Sequence, residues 1–154
     1  MRLLPMLMGL LMPACGSEGA AGLPVPPPME WAGLQRPASP NTALAAPAGF
    51  QPVPDVATRV YAVPADALHA AIRKVADAQP RTYVAAAYDD RRQIHYVVRS
   101  ETLNFPDLVT VQVGENSSLI LWSRSVYGRS DLGVNAKRLA TWLAALDAAL
   151  SSPH

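Results

Sequence analysis

Apolar side chains recur along the second half of this chain with two periods, and the switches between them mark its predicted elements. Residues 59–63 read as a short strand. Asp66 then stands where an N-cap belongs, and Leu68, Ile72, Val75 and Ala76 recur at helical spacing until Pro80 ends the run. From Arg81 the period is two. Residues 81–88 are strand-like, and Asp89-Asp90-Arg91 supplies turn chemistry. Ile94, Tyr96 and Val98 then alternate with His95, Val97 and Arg99. Val109, Val111 and Val113 alternate with Thr110 and Gln112, and residues 114–117 turn the chain again. Over residues 118–124, Leu119 and Leu121 share one face, Ile120 and Trp122 the other. Leu139, Trp142, Leu143, Leu146 and Leu150 mark a long C-terminal helix. This order predicts an α+β domain: an antiparallel four- to five-stranded meander, one helix before it and one long helix after it, both packed on one face. The connections are too short for the crossovers that parallel strands require.

Before residue 58 neither period holds. Residues 16–57 carry nine of the 15 prolines and five of the nine glycines, and 23–28 (Leu-Pro-Val-Pro-Pro-Pro) favours extended polyproline II. Residues 15–36 are therefore expected to be a Pro/Gly-rich tether, reaching about 60 Å when extended. The single folded domain is expected over 37–154. A proline-rich recognition ligand is the alternative use of such a segment.

The first residues differ again. Arg2 precedes an apolar run over 3–12, the length of a secretory h-region and far short of a membrane span. The run ends at Ala14-Cys15, a small residue before the chain's one cysteine, as in a bacterial lipobox. Residues 1–14 are thus expected to be a lipoprotein signal peptide, and Cys15 the lipidation site, carrying an acyl chain such as palmitate. An ordinary signal peptide cut among residues 19–21, or a cytosolic chain, are the other options. Gly16 rather than aspartate follows the cysteine, which favours the outer membrane, with the domain facing the periplasm. Either exported form lacks a disulfide, so packing alone must stabilise the domain.

Charge narrows the classes of partner. Loss of residues 1–14 removes one of 13 basic residues and none of 12 acidic ones, taking the formal charge from +1 to about zero. No basic stripe suited to nucleic acid is present, and no basic amphipathic helix suited to anionic lipid.

One stretch is dense in polar groups. Residues 123–138 hold Ser123, Arg124, Ser125, Gly128, Ser130, Asp131, Gly133, Asn135 and Arg138 between a strand-like and a helix-like run. As architecture, Gly128 and Gly133 would free the backbone, Ser130 or Asp131 would cap the helix, and Asn135 and Arg138 would tie its first turn to the sheet. As a site, Arg124, Ser125, Asp131 and Asn135 would converge on a ligand, with the helix N-terminus favouring an anion. Elsewhere the chemistry is thin. His69, His95 and His154 lack metal-ligand spacing, no nucleophile elbow or phosphate loop occurs, and no cofactor is expected.

These residues resemble the signature of the bacterial family catalogued as domain of unknown function 1499, R-S-x-S-R-x-G-x-S-D-x-G-x-N-x-x-R. Ser123, Ser125, Gly128, Ser130, Asp131, Gly133, Asn135 and Arg138 stand at matching places. Trp122 and Val126 replace its two arginines, and Arg124 stands where a small residue is usual. Phe105-Pro106-Asp107 is similar to its F-x-D, Pro80-Arg81 to its P-R, and Ser39-Pro40-Asn41-Thr42 to its S-P-N-C, with threonine for cysteine. The resemblance implies an envelope-associated, often lipid-anchored domain with no established activity. The expected function is a non-catalytic module binding an envelope protein or an apolar small molecule between sheet and C-terminal helix, the alanines at 85–87 leaving room there. A periplasmic hydrolase using Ser125 or Ser130 with Asp131 is the alternative.

Overall fold

The structure is a computed structural model that describes residues 13–152. The signal-peptide reading, all but its last two residues, and His154 lie outside the described residues. The domain is α+β, with one mixed sheet and two helices. In chain order its elements are β1 (Thr42–Pro47), β2 (Val56–Thr58), α1 (Ala65–Asp77), β3 (Thr82–Tyr88), β4 (Gln93–Arg99), β5 (Pro106–Val113), β6 (Leu119–Ser125) and α2 (Val134–Ser151). The strand order is β2-β1-β6-β5-β4-β3.

The expected meander is present as β3 to β6, each strand antiparallel to the next. It is only part of the sheet. β1 continues it antiparallel to β6, with Thr42 opposite Arg124 and Ala45 opposite Leu121. The short β2 then pairs with β1 in parallel, Ala45 opposite Val56, which corrects the purely antiparallel expectation. β1 escapes a periodicity reading because Thr-Ala-Leu-Ala-Ala-Pro is covered on both faces and does not alternate.

The strand expected at 59–63 does not form; the ladder there is the preceding Val56–Thr58. Tyr61 beyond it is buried, its N–H donating to the Ser117 carbonyl. Nor does Asp66 cap α1. Pro64 holds that position with extended backbone and makes no side-chain cap bond. Asp66 lies within the first turn and pairs at 2.6 Å with Arg92.

Both helices cover one face. Leu68, Ile72, Val75 and Ala76 of α1 and Leu139, Trp142 and Leu146 of α2 pack on Ala43, Ala45, Ile94, Tyr96, Val98, Val109, Val111, Val113, Leu119 and Leu121. Trp142 stands edge-on to Tyr96, ring centroids 5.7 Å apart, a contact that orders the centre of this layer. The space between sheet and α2 is thus filled. Ala85, Ala86 and Ala87 lie on the edge strand β3, partly exposed, and open no cavity beneath the helix. The apolar concavity, about 650 Å³, runs instead between the helices, along Val63, Ala67, Ala71, Val75, Ala145 and Leu150.

The opposite face is covered by the chain's own N-terminal segment. Met29, Trp31 and Leu34, with Phe50, pack against Leu44, Ala46, Trp122 and Ile120. Residues 17–34 therefore lie along the domain and do not project from it.

Candidate functional site

The polar stretch sits where the end of β6 turns into α2, and strand alternation divides its residues between two faces. Ser123 and Ser125 point to the helix side with Leu119 and Leu121; Arg124 points to the other. Gly128 and Gly133, at φ +89° and +82°, supply the backbone freedom expected of them.

On the helix side the side chains close a network around Asn135, which has no solvent exposure. Its Nδ2 donates to the Asn41 carbonyl (2.9 Å), to Ser125 Oγ (3.0 Å) and to Asp131 Oδ2 (2.7 Å). Its Oδ1 accepts from Ser123 Oγ (2.5 Å) and from Arg138 (2.8 Å). Arg138 also donates to Ser123 Oγ at 2.9 Å and to Asp107 Oδ2 at 2.7 Å, a pair only 10% and 12% exposed. Asn41 Nδ2 reaches back to the Gly128 carbonyl at 2.7 Å. Asn41 and Asp107 thus join from segments 94 and 28 residues before Asn135. The family-like S-P-N and F-x-D pieces meet the C-terminal signature in one cluster.

Neither Ser130 nor Asp131 holds the cap position of α2, which is Gly133; Asp131 lies just before it and reaches the first turn. Its carboxylate accepts the backbone N–H groups of Gly133 and Asn135, each at 2.9 Å. Burial opposes its charge, but these N–H groups and the Asn135 amide outweigh it and hold the carboxyl below its ordinary range. An exogenous anion at this helix end would meet that carboxylate. Ser130 accepts the Leu132 N–H at 3.4 Å. Outside the cluster lies an open concavity of about 510 Å³ lined by Arg36, Ser39, Thr42, Asp55, Ser130 and Asp131. Arg36, the cation among the described residues that line it, pairs with Asp55 at 2.6 Å.

Asp131→Ala should therefore cost about 0.5–2 kcal/mol, the worth of a helix-start acceptor. Thermal melts check this; an unchanged or raised melting temperature would show that the carboxylate is held there for something other than stability.

Arg124 belongs elsewhere. Across the sheet, its Nη1 donates to Thr110 Oγ1 at 3.1 Å, and burial lowers its pKa to about 10. Thr110 Oγ1 also lies 2.9 Å from His95 Nδ1, and the partner of the other ring nitrogen, Gln93 Oε1, can only accept. His95 is then the neutral Nε2–H tautomer, donating to Gln93 Oε1 at 3.1 Å. Burial, then the Arg124 charge, push its pKa down to about 4, although a Pro27 carbonyl favours the proton. Gln93, His95 and Thr110 are almost wholly buried under residues 17–34. Periodicity identifies these positions as one strand face but not what covers them.

Among the described residues no group of His, Cys, Asp and Glu could hold a metal ion. No described helix is long and apolar enough to cross a membrane. A family model described as protein of unknown function (DUF1499) matches residues 34–146. No curated protein matches the chain.

Proposed function

The chain belongs to the DUF1499 family of proteins of unknown function, and from that premise we propose that it is a lipid-anchored envelope module that binds rather than catalyses. The observation that carries the non-catalytic reading is the closure of the Asn135 network. Ser123, Ser125, Asp131, Asn135 and Arg138 spend their hydrogen-bonding groups on one another. A serine nucleophile needs a base within hydrogen-bond reach. His95 lies on the opposite sheet face, held by Thr110 and Gln93, and His69 lies on α1. The anchor rests on the apolar run ending at Ala14-Cys15. The outer membrane is its proposed seat and an envelope protein its proposed partner. The open groove between α1 and α2 is the place for an apolar small molecule, its walls being Val63, Ala67, Ala71 and Ala145.

Two measurements test the proposal. Cells fed a labelled fatty acid should incorporate it into the wild-type chain and not into Cys15→Ala, which should also leave the membrane fraction. Membrane retention of that variant at the wild-type level would refute the anchor. Ser125→Ala should change no ester- or peptide-bond turnover. Turnover present in the wild type and lost in that variant, at an unaltered melting temperature, would refute the non-catalytic reading.

A further inference from the structure

The face under the N-terminal segment is built unlike the other layer of the domain. The helices are held by an apolar interface. The segment, by contrast, is held largely through its main chain. Asn104 Nδ2 donates to the carbonyls of Cys15 (2.7 Å) and Ser17 (2.9 Å). Arg99 Nε and Nη2 donate to those of Gly19 and Ala21, both at 2.7 Å. Tyr88 Oη donates to that of Pro26 at 2.6 Å. Gln93 then grips Met29 by both its groups, donating to the carbonyl at 2.9 Å and accepting the N–H at 2.6 Å. A side-chain amide paired in this way reads a residue's two main-chain groups irrespective of its side chain.

The face thus offers many donors and few acceptors. An ordinary extended chain would bring N–H groups that it cannot satisfy. Pro24, Pro26, Pro27 and Pro28 bring none, and their ring-fixed backbone is already extended. Trp31 closes the arrangement, donating Nε1–H to Gln112 Oε1 and standing edge-on to Phe50 at 6.2 Å. The residues matched by the family model begin at 34, where this segment ends.

We infer that the sheet face formed by Tyr88, Gln93 and Gln112 is a binding site for extended, proline-rich peptides, read through their main chain and filled here in cis by residues 24–31. Arg99 and, from the loop after β4, Asn104 hold the turn at 15–22 that leads into it. The same kind of segment from a partner polypeptide is the ligand that takes the strap's place. The inference rests on the binding-module reading and is independent of lipidation.

The test uses the chain from residue 15 onward with a protease recognition sequence introduced at the exposed Ala32-Gly33. After cleavage, the strap should remain bound, and a fluorescent peptide spanning residues 15–32 should exchange into its place with a saturable rise in anisotropy. Two variant peptides leave the domain untouched. Trp31→Ala, and alanine at the four prolines together, should each bind about tenfold more weakly, from lost anchoring or lost preorganisation. Gln93→Ala in the domain should weaken the wild-type peptide by a similar factor. No exchange with a folded, cleaved chain would overturn the inference, as would aggregation of the chain on cleavage or equal binding of all three peptides. Any of those results would leave the fatty-acid and turnover measurements to decide the anchor and the absence of catalysis separately.

Discussion

Arg138→Met is expected to be the most damaging single substitution in the polar cluster, costing about 3–5 kcal/mol. Methionine approximates the length of the arginine stem but supplies no donor. Asp107 would then be left charged at 12% exposure with its guanidinium gone, and Ser123 and Asn135 would each lose a donor. Breaking a buried pair from one side is costlier than never having built it, because one charge stays dehydrated. Urea denaturation should show an earlier midpoint with an unchanged slope. Asp107→Asn added to Arg138→Met should recover part of the loss by removing the stranded charge. The exposed Arg59–Asp147 pair provides the contrast, since its members are 54% and 52% exposed. Asp147→Asn should stay within about 1 kcal/mol of wild type. A similar small effect for Arg138→Met would mean that water reaches Asp107 freely, and the network could not then be the tie between sheet and helix.

Acid should destabilise the domain as the pH falls below about 6.5, through a buried histidine. The unfolded chain takes up a proton at His95 near pH 6.5, the folded one only near pH 4. Between those values the unfolded state carries more protons, so stability falls as pH falls through that window. The contribution is fully present above about pH 6.5. At pH 4.5 the loss should be about 2–3 kcal/mol. The groups facing the imidazole explain the resistance to protonation: Thr110 and Gln93 hold its two nitrogens, Arg124 lies nearby, and Tyr88 stands edge-on at 5.8 Å. His69, lowered by burial, acts in the same direction. Asp131 acts in the same direction at lower pH, its depressed pKa stabilising the fold above about pH 4 and that contribution being lost only below. Urea midpoints for wild type and His95→Gln across pH 7.5 to 4.5 isolate the histidine. The variant should lose most of the slope, and identical slopes would assign the acid sensitivity elsewhere.

Alternation and helical spacing were sufficient for β3 to β6 and both helices, because each has one covered face and one different face. Ile94, Tyr96 and Val98 against His95 and Arg99 is that signal in its plainest form. The C-terminal signature was legible as a cluster of residue types, and the positive φ of Gly128 and Gly133 follows from placing glycine at a corner. β1 was not legible. Its alanines are covered from both sides, by α2 and by the residues around Trp31, so no period distinguishes it from a loop.

Local patterning is enough to say which runs form strands or helices, where turns fall, and which family signature the chain carries. Which polar groups meet depends on how the elements pack. Asn41, Asp107 and Asn135 become neighbours because β1, β5 and the start of α2 converge at one end of the sheet. Arg124 leaves its sequence neighbours because adjacent strand residues point to opposite faces. The proline-rich segment reads as a tether because it contains no periodic apolar face. It lies on the sheet because its carbonyls find donors on Tyr88, Gln93, Arg99 and Asn104, long-range hydrogen bonds that leave no pattern in the segment's own residues.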